Sequence, residues 1–272
     1  MLLVPVKTEA KTSCKQRACV RFFTFGLPRG LGSSRRGAGL SSRPPGFGPA
    51  TGSEQYWDTA RSASTWRQGV YSSSGPQEAK IMKVVAFNGS ARKDGNTTIL
   101  LRYVLTALEQ EGIGTELIQL SGKKIHGCLA CRSCFARKDG RCAQKNDEGN
   151  ALIDAMIHAD GVLLGTPTYV TDVSPEIKAL IDRACMVTRA NGSLLRRKVG
   201  AGVVAVRRAG AIHAFDTLNH FFLISEMIVP GSSYWNIGIG RDKGDVEKDA
   251  EGIETMKVLG RNMAWLLKKI QA

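Results

Sequence analysis

The run VVAFNGSARKDGNTTILL, Val84 to Leu101, reads as a strand, a polar loop and the start of a helix. Its apolar opening is continuous rather than alternating, which suits a strand buried on both faces. From Ile99 the period changes: Ile99, Leu100, Tyr103, Val104, Ala107 and Leu108 form one helical stripe, closed by Gly112. Between the two lie Ser90, Arg92, Asn96, Thr97 and Thr98, with Gly89 and Gly95 permitting tight backbone geometry. Helix N-terminal amides, hydroxyls, an amide and a guanidinium converge there, a combination suited to a phosphate. The bland alternative is a polar turn ahead of a well-capped helix. The loop is no triphosphate P-loop, since its glycines are one residue too far apart and Asn96 stands in place of the lysine. The dinucleotide fingerprint G-x-G-x-x-G is absent from the core as well.

Outward from this stretch, continuous runs recur at 162–165 (VLLG), 199–206 (VGAGVVAV) and 227–229 (MIV), with 116–120 (ELIQL) weaker. Helical patterns separate them. Ser174 and Pro175 make an N-cap and first-turn proline, after which Ile177, Leu180, Ile181 and Ala184 share a face. A closing helix turns Ile253, Met256, Leu259, Met263, Leu266, Leu267 and Ile270 inward. Roughly five alternations predict a doubly wound α/β sandwich, whose ligands sit at the carboxyl ends of the strands.

The loop after 162–165 carries Pro167, which stiffens the turn, and Tyr169, a flat amphipathic surface. Lys178 and Asp182 are spaced for a simple helix ion pair. The loop after ELIQL is GCLACRSCFARKDGRC, with Cys128, Cys131, Cys134 and Cys142 close together. A structural disulfide is disfavoured in a reducing compartment. Structural zinc usually takes two separated C-x-x-C knuckles, and this is one consecutive run. Thiolate ligation of an iron–sulfur cluster suits C-x-x-C-x-x-C better. A metal-free cysteine-rich loop, zinc and redox thiols all stay open. Cys185 reads as a buried small apolar residue, and Cys14 and Cys19 carry no expectation.

The stretch GSARKDGNTT resembles the FMN-phosphate loop of the flavodoxin-like NAD(P)H-dependent FMN reductases, usually G-S-x-R-x-x-G-N-T. That resemblance implies that Ser90, Arg92, Asn96, Thr97 and Thr98 carry the FMN phosphate. Pro167 and Tyr169, followed by Lys178, Asp182 and Arg183, resemble the family's second signature. It implies that Pro167, Thr168, Tyr169 and Val170 wrap the isoalloxazine. The cysteine spacing resembles the compact motif of the iron–sulfur flavoproteins, a branch of the same family. It implies a [4Fe–4S] cluster on Cys128, Cys131, Cys134 and Cys142, although many cluster-free relatives show a similar stretch. Gly231–Trp235 and Asp249–Gly260 also resemble the family, and the likeness spans roughly 82–270. The implied fold is flavodoxin-like, a five-stranded parallel sheet with helices on both faces. One loop departs from the pattern: Arg207, Arg208, Ala209 and a lone Gly210 stand where relatives often have several glycines.

Residues 1–81 hold twelve Lys or Arg against four Asp or Glu, +8 of the chain's +14, and are crowded with Gly, Ser, Arg and Pro. Such a segment cannot bury enough apolar surface to offset its ordering entropy and is expected to be a disordered tail. An over-extended start before Met82, a transit peptide and a basic arm for nucleic acid or membrane are the readings left open. The domain proper is expected at 82–272. No run of about 18 apolar residues exists, so no membrane span is expected, and a cytoplasmic location is the default.

The leading expectation is an FMN-dependent oxidoreductase whose cluster relays electrons between FMN and a ferredoxin-like carrier. A cluster-free NAD(P)H-dependent FMN or quinone reductase is the alternative. A basic-tailed binding module with a redox-sensing fold is the third. The resemblance also implies a homo-oligomer, dimer or tetramer, and neither nucleic acid nor membrane is expected as a partner.

Overall fold

The structure is a computed structural model, and it describes residues 81–271. The expectation of a disordered tail therefore falls, but for Ile81, outside the described residues.

Five parallel strands form one sheet: β1 Lys83–Asn88, β2 Gly114–Gln119, β3 Gly161–Pro167, β4 Val199–Val206 and β5 Ile237–Ile239. Their order is β2-β1-β3-β4-β5, the flavodoxin-like doubly wound arrangement. Phe87 lies beside Leu164, and Val204 beside Ile237. The three central strands are buried on both faces, which explains their unbroken apolar runs. At the edge, β2 has no buried residue, Glu116 being exposed and the others partly buried, and its sequence signal is correspondingly weaker.

Among the described residues six α-helices complete the layers: α1 Asn96–Gln110, α2 Ser133–Arg137, α3 Gly149–His158, α4 Pro175–Ala190, α5 Ala211–Ile224 and α6 Ala250–Gln271. On one face α1 and α6 bury Leu100, Val104, Leu108, Met256, Leu259 and Met263 against Val84, Ala86, Leu163 and Val203. On the other, α3, α4 and α5 bury Ile153, Met156, Ile177, Leu180, Leu218 and Phe222 against Val85, Phe87, Leu164 and Val204. Each such Leu or Val contributes about 1.5–3 kcal/mol over its exposed state. Gly260 lets α1 and α6 touch, since a Cβ there would stand 2.6 Å from both the Ala107 Cβ and the Val104 carbonyl.

Ser174 caps α4 as expected, its Oγ accepting from the Ile177 amide at 3.4 Å ahead of Pro175. Two expectations are corrected. The run Met227–Val229 is not the fifth strand: only Ile228 makes a bridge, to Val199, and Pro230, which has no amide to donate, ends it. The fifth strand is the short Ile237–Ile239. Ile270, in the last turn of α6, is exposed; the buried stripe stops at Leu267.

Candidate functional site at the carboxyl edge of the sheet

Because all strands are parallel, the loops after β1, β2, β3 and β4 leave the same edge. The winding reverses between β1 and β3, where a doubly wound sheet opens its crevice. The first loop is organised by a residue that the sequence reading passed over. Asn88 is fully buried at the end of β1. Its Nδ2 donates to Thr98 Oγ1 and to Gln119 Oε1, each at 2.7 Å, and its Oδ1 accepts from the Ser90 amide at 3.0 Å. Gln119 Nε2 in turn donates to the Ser90 carbonyl at 2.7 Å. A polar side chain closing an apolar strand was the available signal.

The five expected phosphate residues separate into two groups. Thr98 and Asn96 are braces. Thr98 Oγ1 donates to the Lys93 carbonyl at 2.7 Å while accepting from Asn88. Asn96 donates to the Asp242 carbonyl and accepts from the Gly244 amide, both at 2.9 Å, so its amide is spent on the 240–244 loop. Ser90, Arg92 and Thr97 remain. Ser90 Oγ accepts from the Arg92 amide at 3.1 Å and keeps its own proton to donate, whereas Arg92 is exposed. The first turn of α1 holds no acid, and Gly95 at its N-cap offers no side-chain acceptor. The amides of that turn and the positive end of the helix dipole favour an anion there.

After β3 the chain makes a tight hairpin. The amides of Tyr169 and Asp172 donate to each other's carbonyls at 2.8 and 3.0 Å. The two residues between them, Val170 and Thr171, take left-handed backbone at φ 48° and 63°. For β-branched residues that conformation is strained, and strain of this kind gathers where backbone is held for a ligand. Val170 is 98 % exposed, so no packing of its own side chain explains it. Thr168 is tied through its amide to the Ala205 carbonyl at 2.9 Å, yet its Oγ1 is buried and without a partner. An acid-free helix terminus, a held hairpin and an unspent buried hydroxyl on one edge fit a phosphate-bearing planar ligand. Arg207 and Arg208 of the loop after β4 are exposed, and Gly210 of the same loop stands against Thr171 of the hairpin. Lys178 and Asp182 form an exposed ion pair at 2.6 Å on α4, a helix brace.

The cysteine loop follows β2 on the same edge. Cys134 and Cys142 are buried, Cys128 and Cys185 partly so, and Cys131 is exposed. Among the described residues no three His, Cys, Asp or Glu are gathered tightly enough to hold a single metal ion. What the four expected cysteines share is a small cavity: Cys128, Cys131, Cys134 and Cys142 all line it, with Arg183 and Met186 of α4 behind. Ala130 and Arg132 take left-handed backbone at φ 51° and 56°, which curls the loop around that space. The Ala130 amide donates to Cys128 Sγ at 3.4 Å. Burial pushes the Cys134 and Cys185 thiols up, while the hydroxyl and amide of Ser133 hold the Cys131 thiol below its ordinary range. Four cysteines around one small cavity offer soft sulfur donors, the donor type that iron–sulfur clusters and zinc both take.

Arg183 is the largest fully buried side chain among the described residues. It pairs with Asp147, donates to the His126 carbonyl at 3.4 Å and to the Gln144 carbonyl at 3.3 Å. Burial works against ionisation of Asp147, but Arg183, the amides of His126 and Gly149 and the His126 ring outweigh it and hold the carboxyl at about 2.

The family model described as NADPH-dependent FMN reductase matches residues 82–242. An iron–sulfur flavoprotein of Methanocaldococcus jannaschii is 38% identical over 197 residues, covering 70% of this chain and 100% of its own. A second from that organism is 34% identical, over 65% of this chain and 92% of its own. The iron–sulfur flavoprotein of Methanosarcina thermophila is 27% identical, over 70% and 97%. Among solved structures, RosB with a bound 8-demethyl-8-formylriboflavin-5'-phosphate intermediate has a TM-score of 0.58 at 20% identity, covering 70% of this chain and 80% of its own. A flavone reductase has a TM-score of 0.53 at 17% identity, over 70% and 64%. These two likenesses bear on the fold.

Proposed function

From the premise that the chain belongs to the NADPH-dependent FMN reductase family, in its iron–sulfur flavoprotein branch, we propose an electron-transferring oxidoreductase with two redox groups. FMN is held at the β1–β3 edge. A [4Fe–4S] cluster is held by Cys128, Cys131, Cys134 and Cys142. FMN supplies transfer of electrons singly or in pairs, and a cluster supplies them singly.

The protein's part is binding and orientation. The amides of the first turn of α1, with Ser90, Arg92 and Thr97, take the phosphate. Asn96 and Thr98 keep that turn and the 240–244 loop in place rather than touching the ligand. The Thr168–Val170 backbone and the Thr168 hydroxyl border the ring, and Tyr169 covers it. No side-chain acid or base is required for electron transfer, and none is assigned. The observation that carries the cluster assignment is the shared cavity lined by all four cysteines.

An external one-electron carrier of ferredoxin type is the partner that this reading calls for. Leu129 and Phe135 are exposed on the cysteine loop, which also exposes Arg132, Lys138 and the ion-paired Arg137 and Arg141. An apolar contact on a loop of net positive charge suits an acidic carrier. A second reading, a cluster-free NAD(P)H-dependent reductase, is favoured by Arg207 and Arg208, exposed in the loop after β4 and suited to a nucleotide phosphate.

The deciding experiment is the visible spectrum and iron content of the full chain purified without oxygen. Flavin bands with a broad shoulder near 400 nm and about four irons per chain are expected. Serine at Cys128, Cys131, Cys134 or Cys142 should abolish the iron, and Cys185→Ser should leave it. Flavin without iron would move the assignment to the cluster-free reductase.

A further inference from the structure

Arg183 is a cation in a place where a cation is costly, and its role in the loop does not use it fully. It is 1% exposed, and it lines the cavity shared by Cys128, Cys131, Cys134 and Cys142. A guanidinium has five N–H donors. Nη1 is spent on Asp147 and the His126 carbonyl, and Nη2 donates to the Gln144 carbonyl. Nε is buried and has no partner. A buried donor left without an acceptor is costly, because its lost hydration is not replaced. Nor does the ion pair explain its own presence, because a buried pair is often no more stabilising than well-packed apolar side chains.

We propose that the Arg183 Nε–H is a hydrogen-bond donor to the anionic sulfur group held in the cysteine cavity, with Asp147 as the residue that positions the guanidinium. This rests on the cluster reading above. Four thiolates and an inorganic core accumulate negative charge, and hydrogen bonds to the sulfurs raise the potential at which one further electron is accepted. Asp147 locks one end of the fork and thereby presents the Nε edge; as a carboxylate kept ionised, it also offsets part of the positive charge. Arg183 thus tunes the held group, and the loop it pins is the means of placing it.

The test is a reductive titration of the iron-loaded full chain, with dithionite as the one-electron source, on three proteins. Arg183→Lys keeps a cation against Asp147 and keeps the loop pinned, but removes Nε. It should retain iron and show a lower midpoint potential. Asp147→Asn keeps Nε and removes the offsetting charge, and should shift the potential the opposite way. The double variant Arg183→Met with Asp147→Asn removes donor and pair without changing net charge, and should again titrate below wild type. Wild-type potentials in Arg183→Lys and the double variant, with iron retained, would overturn the donor role and leave Arg183 a loop staple. An iron-free wild type would overturn the cluster reading itself and this inference with it.

Discussion

Gly149 and Arg183 occupy one space: a Cβ at residue 149 would overlap the Arg183 Cζ and stand 2.7 Å from Nη2. Gly149 opens α3, where alanine would ordinarily be the better helix former by up to about 1 kcal/mol. Overpacking a buried planar group costs about 1–3 kcal/mol, so the steric effect wins. Gly149→Ala is expected to lower the urea midpoint and to weaken retention of whatever the cysteine cavity holds. An unchanged midpoint would mean that the guanidinium has room to move.

The Asp147 carboxyl titrates at about 2 in the folded chain against an ordinary value of 3.8. Its folded value is depressed, so its contribution is present above pH 4 and is lost as the pH falls toward 2. A shift of that size corresponds to about 2 kcal/mol. Between pH 5 and 2.5 the wild type should therefore lose more stability than Asp147→Asn does. Parallel pH profiles for the two proteins in chemical unfolding would refute the ion pair's role.

Arg92 and Asn96 are expected to fail differently. A charge-assisted hydrogen bond to phosphate is worth about 1.5–3 kcal/mol, so Arg92→Ala should weaken FMN binding about tenfold or more at unchanged thermal stability. Asn96→Ala leaves the Asp242 carbonyl and the Gly244 amide without their partner, and it should lower the melting temperature as well. Fluorescence titration with FMN and thermal melts separate the two effects. Full flavin retention in Arg92→Ala would remove it from the phosphate site.

Val170 holds φ 48° with its side chain in solvent. Left-handed backbone costs an L-residue about 1–2 kcal/mol, and glycine's added entropy offsets about 0.5–1 of that. Val170→Gly should therefore leave stability unchanged or raise it slightly. Should it destabilise the fold by more than about 1 kcal/mol, the side chain has a packing role that its exposure does not show.

The strands β1, β3 and β4 were legible because burial on both faces imposes unbroken apolar runs that no neighbour in sequence contradicts. The edges were not. At β2 partial exposure dilutes the signal, and three residues at Ile237–Ile239 carry too little pattern to outweigh the more apolar Met227–Val229. The same division runs through the site. Ser90 and Arg92 lie in the loop after β1 and Thr97 in the first turn of α1, whereas the bracing roles of Asn96 and Thr98 emerge only in the fold.

By itself, then, the sequence determined the alternation of strand and helix, the loops that reach the carboxyl edge and the spacing of four cysteines. Periodicity and turn chemistry are local, and they act between residues a few positions apart. Only the tertiary structure decided which polar groups are spent and which are left for a ligand. Asn96 meets Asp242 across 146 positions, and Arg183 meets Asp147 across 36. A donor's partner is chosen by what folding brings within about 3 Å. Nothing in the neighbourhood of Arg183 along the chain foretells that its Nε stays unpaired, or that its side chain lines the cavity of the four cysteines.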